Sequence, residues 1–179
     1  MSGAPTPTFF RKATTRRTQP HSELHQPMHI RQAELADIPA ILELEQQAVT
    51  AAHWSAQQYQ TAFSTELHKR FILIGEDETG VRGFIIGKAV GSELEIENLA
   101  VHSSARRLGL GASLLKELLT MACNQGIEAV FLEVRESNQA ARGLYEKHSF
   151  ANIGRRKHYY RDLDEDAIIY RLAISQEPK

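Results

Sequence analysis

The stretch Glu93-Leu94-Glu95-Ile96-Glu97-Asn98-Leu99-Ala100-Val101, with the polar segment that ends in Arg106-Arg107-Leu108-Gly109-Leu110-Gly111-Ala112, carries the reading of the fold. The first nine residues predict a strand. The helix predicted after the glycines has an apolar face of Leu114, Leu115, Leu118, Leu119 and Ala122, at amphipathic spacing. Gly126 is a natural stop for it. Strand, glycine turn and helix together present free backbone N–H groups to a phosphate, and the helix dipole adds roughly half a positive charge there. Gly109 and Gly111 let the backbone approach closely, and Arg106 and Arg107 supply countercharge. Taken alone, two glycines also serve simply to make a tight turn.

Upstream, Met28–Arg31 predicts a short strand, and Asp37 a cap for a helix through Ile38, Ile41, Leu42, Leu44 and Glu45, with Pro39 in its first turn. Trp54-Ser55 breaks that pattern, and Ser55 caps a second helix through Tyr59, Phe63 and Leu67. Phe71–Ile74 is an apolar strand, Gly75–Gly80 a turn and Val81–Val90 a β-branched strand that turns at Gly91-Ser92 into Glu93–Val101. Connections this short imply an antiparallel meander. Downstream, Ala129–Val134 predicts a buried strand, Asn138–His148 a helix and Ala167–Ile174 a last strand. One parallel pairing follows, between Glu93–Val101 and Ala129–Val134. There are no internal repeats.

The 179 residues are enough for one well-buried core, expected over 28–176. Lys+Arg (21) and Asp+Glu (22) nearly cancel, so no global field calls for nucleic acid or a membrane surface. No apolar run approaches the roughly 20 residues of a membrane span. A lone Cys123 excludes an intramolecular disulfide and fits a reducing cytoplasm; its leucine-rich helical setting predicts burial rather than reactivity. Residues 1–27 hold four prolines, Arg11, Lys12, Arg16 and Arg17, and no acid before Glu23, the composition of a disordered tail. A transit peptide, or a natural start at Met28, are the other readings of that segment. The eight histidines show no metal-ligand spacing, so no metal is expected.

Two nucleotide motifs compete for the glycine turn. A Walker A loop needs Gly-Lys-Ser/Thr, and Gly111 is followed by Ala112-Ser113. A dinucleotide fingerprint needs a glycine where Leu114 stands, and this turn follows a meander rather than an opening βαβ unit. The run 106–112 instead resembles the Q/R-x-x-G-x-G/A pyrophosphate loop of the GNAT acetyltransferases. Ile96-Glu97-Asn98-Leu99-Ala100-Val101 resembles the strand that leads into it. Leu132-Glu133-Val134-Arg135, Ser137-Asn138, Leu144-Tyr145, Ser149-Phe150, Tyr159-Tyr160 and Glu165-Asp166-Ala167-Ile168 are similar to the series found in the ribosomal-protein alanine acetyltransferases, the RimI type.

The resemblance implies an α+β fold: a mostly antiparallel sheet with a splayed central parallel pair, flanked by helices, and acetyl-CoA in the gap. It implies that Leu99, Ala100 and Val101 pair with the acetyl and pantetheine groups. It puts the pyrophosphate on Arg106, Arg107, Leu108, Gly109, Leu110, Gly111 and Ala112. Asn138 then contacts the cofactor, or is a plain helix cap, or both. Glu133 matches the general base; the alternative is a structural ion-pair partner of Arg135 or Arg107. Tyr145 matches the general acid that protonates the CoA sulfur, against a plain packing role beside Leu144 and Phe150. Glu97 assists as base, binds a basic second residue of the acceptor, or is solvated. Trp54, beside His53, and Tyr159 with Tyr160 line opposite walls of the acceptor site or merely pack. The run Arg155-Arg156-Lys157-His158 is expected to be a solvated face, the alternative being a contact with ribosomal RNA. Ser149 stands where the family has Gly, and Leu108 where a polar residue is usual.

An α-amino group has a pKa of about 7.7–8.0 against about 10.4 for lysine, so an N-terminal acceptor asks less of its base. The resemblance implies direct transfer to the N-terminal alanine of ribosomal protein eighteen of the small subunit, by a monomeric enzyme of the cytoplasm. The alternatives are another protein N-terminus, a lysine or a small amine, and, in a different class, a non-catalytic acyl-CoA-binding module.

Overall fold

The structure is a computed structural model that describes residues 28–48, 54–64 and 69–175. The expectations for residues 1–27, and for His53 and Leu67, lie outside these. Seven strands and four helices are described: β1 (His29–Gln32), α1 (Ile38–Gln46), α2 (Ala56–Ser64), β2 (Lys69–Asp77), β3 (Gly80–Val90), β4 (Glu93–Val101), α3 (Leu110–Asn124), β5 (Ala129–Arg135), α4 (Gln139–Lys147), β6 (Ala151–Tyr160) and β7 (Glu165–Ala173). They form one sheet in the order β1-β2-β3-β4-β5-β7-β6. Every neighbouring pair is antiparallel except β4 with β5. Among the described residues no helix is long and apolar enough to cross a membrane.

Each face of the sheet carries a core. On one, Leu114, Leu115, Leu118 and Ala122 of α3 meet Leu94 and Ile96 of β4, Val130, Leu132 and Val134 of β5, and Tyr145 of α4. On the other, Ile38, Ile41 and Leu44 of α1 and Tyr59 and Ala62 of α2 meet Ile72, Ile74, Phe84, Ile86 and Ala100. Gly75 belongs to β2, not to a turn as the sequence suggested. A Cβ on it would run into the Leu110 side chain, so its smallness serves the seating of α3; the turn itself is Glu78–Thr79.

The first helix also departs from expectation. Asp37 ends a 3-10 turn (Leu35–Asp37) that precedes α1, and its carboxylate makes no cap to α1. It accepts instead from the Glu34 N–H and from two nitrogens of Arg31, at 2.7–2.9 Å, which hold its pKa below the ordinary value. Ser55 does cap α2, through a reciprocal pair with Gln58 (Gln58 N to Ser55 Oγ 3.3 Å, Ser55 N to Gln58 Oε1 2.7 Å).

Strand β6 escaped the sequence reading because its solvated residues give no alternation: 151–153 and 155–159 are exposed, and its register with β7 shifts twice. Cys123 is half-buried rather than buried.

Candidate active site at the splayed strands

The parallel ladder of β4 and β5 runs from Glu93–Ala129 to Ile96–Leu132 and stops. Beyond it Glu97–Val101 and Glu133–Arg135 have no rungs between them, so one edge of β4 keeps backbone groups for a ligand. On its other edge β4 stays paired to β3, but the register skips Glu97: Ile86 faces Asn98 and Gly87 faces Ile96. This bulge switches the alternation. Leu94 and Ile96 belong to the core beside α3, whereas Ala100 belongs to the core beside α1 and α2, with Leu99 and Val101 packed on the first.

The chain then turns through Ser103–Ala105 into the glycine loop. Arg107 (φ 65°) and Gly109 (φ 88°) are both left-handed, and α3 begins at Leu110. The first helical bond joins the Ser113 N–H to the Gly109 carbonyl (3.0 Å), and no side chain caps the end. The N–H groups of Leu110, Gly111 and Ala112 therefore have no intrahelical acceptor, as an anion site requires. Arg106 is extended, and its Nε donates to the Val101 carbonyl at 3.0 Å, bracing the loop on the end of β4. Leu108 is 50% exposed.

Each of Glu97 and Glu133 has an arginine, and that of Glu133 is neither Arg135 nor Arg107. Glu133 pairs with Arg156 of β6 (Nε to Oε1, 3.0 Å), while Arg135 pairs with Asp162 (2.7 Å) and Glu165 (3.5 Å). Glu97 is held by Arg70 of β2 through two contacts of 2.9 and 3.3 Å. The two pairs differ in exposure: the side chains of Arg70 and Glu97 are 16% and 14% exposed, those of Arg156 and Glu133 56% and 21%. Three of the four residues of the basic run 155–158 are thus engaged by acids, with Arg155 on Asp166 and Glu136 and His158 on Asp164. Tyr159 lies beside Glu133, whose hydrogen bonding raises its pKa, and its ring lies 5.4 Å from the Arg156 guanidinium. Tyr160 stacks under Arg135 (4.1 Å), and burial pushes its pKa up to about 12.

Tyr145 lies in the last turn of α4, 5% exposed, against Phe150 (5.7 Å) and Tyr170 (6.3 Å). Its packing neighbours are thus Phe150, as expected, and Tyr170, which the sequence did not single out. Burial drives its hydroxyl pKa far up, and Tyr160 adds to the effect, so the group stays protonated at neutral pH. The helix end is a Schellman motif: Phe150 N donates to Tyr145 O (3.1 Å) and Ser149 N to Glu146 O (3.1 Å). Ser149, where the resemblance leads one to expect Gly, takes the left-handed backbone (φ 65°) that glycine adopts without a Cβ cost. At the other end Asn138 caps α4, its Oδ1 accepting from Ala141 N at 3.1 Å.

Trp54 stands at the entry to α2, its ring 5.3 Å from that of Tyr59. With Ser55, Gln57, Gln58, Thr61, Ala62 and Arg70 it lines a cleft of about 370 Å³. Arg70 was not singled out by sequence, Arg156 was read only as part of a solvated basic run, and Glu45 only as a residue of the first helix. Glu45 had a further signal, a charge at i+4 from Ile41 on an apolar stripe; nothing in the sequence marked either arginine as the partner of a carboxylate at the splay.

The profile of the Acetyltransferase (GNAT) family matches residues 37–150, from the entry of α1 to the end of α4. The chain belongs to the GNAT acetyltransferase family. It is an acetyl-CoA-dependent N-acetyltransferase. Among GNAT proteins it is similar to the [ribosomal protein bS18]-alanine N-acetyltransferase of Escherichia coli K12, 36% identical over 145 residues that span 79% of this chain and 95% of the relative. The crystal structure of the E. coli ribosomal-protein-S18-alanine N-acetyltransferase superposes with a TM-score of 0.74 at 32% identity, over 86% of this chain and 97% of that one. Arabidopsis thaliana NAA60, solved with a bisubstrate analogue, shares the GNAT fold (TM-score 0.76, 16% identity, 84% and 100% covered).

Proposed function

We propose that this enzyme acetylates the N-terminal α-amino group of a protein that begins with alanine, ribosomal protein bS18, and that Glu133 is its base and Tyr145 its acid. The placement of Glu133, first residue of β5 beyond the last rung, its side chain 21% exposed and paired to the more exposed Arg156, carries the reading. The bS18-alanine acetyltransferases that this chain resembles over most of their length support the acceptor.

Acetyl-CoA supplies the acyl group as a thioester, held by the N–H groups of Leu110–Ala112, by Arg106–Gly109, by the free edge of Leu99–Val101 and by Asn138. Glu133 takes the proton of the α-ammonium; with that pKa at about 7.7–8.0, a carboxylate relayed through water is a sufficient base near neutrality. Tyr145, kept neutral by burial, gives its proton to the departing sulfur. Glu97 is held by Arg70 on both oxygens, which leaves it a structural role at the bulge. Trp54 and the cleft beside it form one wall of the acceptor site, and Tyr159 and Tyr160 the other.

The test is turnover of an alanine-initiated hexapeptide with a basic second residue, compared with its N-terminally blocked twin. Only the free peptide is expected to gain an acetyl group. Glu133→Gln abolishes the reaction at saturating substrate, while Glu97→Gln retains it. Retained turnover in Glu133→Gln overturns the base; modification of the blocked peptide overturns the N-terminal acceptor.

A further inference from the structure

Helix α1 carries a carboxylate on its apolar stripe. Glu45 is 2% exposed, between Ile41 at 0% and Ala48 at 6%. A carboxylate in such surroundings is tolerated only when donors meet its oxygens. They come from two other elements. Asn98 Nδ2 of β4 donates to Oε1 at 2.6 Å, and the Trp54 N–H, at the entry to α2, donates to Oε2 at 3.0 Å. Tyr59 of α2 adjoins the same group: burial, and then Glu45, raise its hydroxyl pKa far above the ordinary value.

One side chain thus ties the end of α1 and the start of α2 to the strand position between the Glu97 bulge and Leu99–Val101. Core packing does not explain the choice. An apolar residue at 45 would fill the space and leave the Trp54 N–H and the Asn98 amide without these partners. The tie also runs to the cleft, because Trp54 lines it and Arg70, at the same cleft, holds Glu97.

We propose that Glu45 is a positioning residue for the acceptor. It sets the cleft wall at Trp54 against β4 beyond the last rung, touching neither substrate, and this rests on the reading of that cleft as the acceptor side. The glycine loop packs with α3 on the opposite face of the sheet, so loss of the tie loosens acceptor binding and spares acetyl-CoA.

The test uses Glu45→Gln, Asn98→Asp and the double variant in the full chain. In Glu45→Gln one oxygen becomes a donor, so one of the two bonds is lost. In Asn98→Asp two carboxylates face each other. In the double variant the new amide donates to the new carboxylate while its oxygen still accepts from Trp54 N, and both bonds return.

Each single variant is expected to raise the KM for the alanine peptide by about tenfold. The acetyl-CoA dissociation constant stays unchanged, and the double variant recovers. Trp54 is the only tryptophan, so acrylamide quenching of its fluorescence follows the wall independently of any acceptor. Quenching rises in the singles and falls back in the double. Unchanged peptide KM and quenching in both singles overturn the proposal, as does a lowered Tm with kinetics intact or a double variant that recovers neither. Should Glu45→Gln not fold, Asn98→Ser, which removes the Nδ2 donor to Oε1 and leaves the carboxylate in place, takes its place with the same readouts. If the wild-type enzyme ignores the peptide, the acceptor assignment fails on that result, and unchanged quenching in the variants still overturns the role of Glu45.

Discussion

The two arginines at the splay hold their carboxylates under different conditions, and the difference predicts different costs for losing them. Arg70→Gln strands Glu97 in a largely enclosed site and is expected to lower stability by about 2 kcal/mol, measured by denaturant unfolding. Arg156→Gln removes a solvent-screened partner and is expected to cost about 1 kcal/mol or less. Equal costs would mean that the two pairs are equally structural, and would remove the argument that Glu133 is the carboxylate open to an acceptor. Tyr145 makes a second case at this scale. Its ring packs on Phe150 and Tyr170, and Phe keeps that packing. Tyr145→Phe is therefore expected to keep the wild-type Tm and lose about a hundredfold or more in kcat. A kcat within threefold of wild type, about 0.7 kcal/mol, would return the residue to a packing role. Glu133 and Tyr145 could be named from the sequence because motif spacing marks them, and their base and acid roles are the proposal made above. The arginine partners could not be so named, since Arg70 and Arg156 arrive from strands distant along the chain.

Helix ends show how an element places a site residue. Two helices finish with the same bond pattern: α3 with Gly126 left-handed (φ 75°), Gly126 N on Cys123 O and Ile127 N on Ala122 O, and α4 with Ser149 in the equivalent place. A serine there carries a left-handed cost of about 1 kcal/mol that glycine avoids. Ser149→Gly is expected to raise stability by about that amount in thermal or denaturant unfolding, and no gain would mean that the Ser149 side chain contributes something unseen. The β6–β7 hairpin that presents Tyr159 and Tyr160 is pinned by charges whose signs set a pH window. Asp162 and Asp166 lie below their ordinary 3.8 and Glu165 below 4.5, lowered chiefly by Arg135, the His158 N–H and Ser137 respectively. Their contribution is present above those ordinary values and lost as pH falls through the lowered ones. His158 is raised above 6.5 by Asp164, so its contribution is full below 6.5 and lost as pH rises through the raised value. Hydrogen exchange of the hairpin, corrected for intrinsic rates, is expected to be slowest between about pH 4.5 and 6.5; protection that climbs steadily to pH 9 would exclude the His158 contribution. Strand β4 and helix α3 were legible almost to the residue because apolar spacing and glycine stops mark them. Strand β6 was hidden because an exposed edge has no buried face to impress a period on the sequence, and Gly75 misled because a glycine needed for close approach looks like a glycine needed for a turn.

At the scale of the whole molecule, two cores on opposite faces support a sheet whose centre is deliberately incomplete. The parallel pairing of β4 and β5 was legible from the order of elements, and the resemblance to GNAT proteins added the splay. The bulge at Glu97 was not, because the skipped residue is defined by the partner strand. A ligand that completes the gap binds the folded chain only. Acetyl-CoA at a hundred times its dissociation constant is therefore expected to add about 2.7 kcal/mol of stability, seen as a Tm that climbs with the logarithm of concentration. A Tm independent of acetyl-CoA would mean that the splay does not hold it. The two ends of the sheet carry a further consequence. At one, β1 offers four residues; at the other, β6 offers exposed Arg155, Arg156 and Lys157 and two register shifts. A seven-stranded sheet grows by adding strands to its margins, and neither margin here presents a long, flat, uncharged ladder to copy. The chain can thus leave unpaired backbone open at its centre, at the proposed acetyl-CoA site, without offering its rims as a template for fibrous self-assembly.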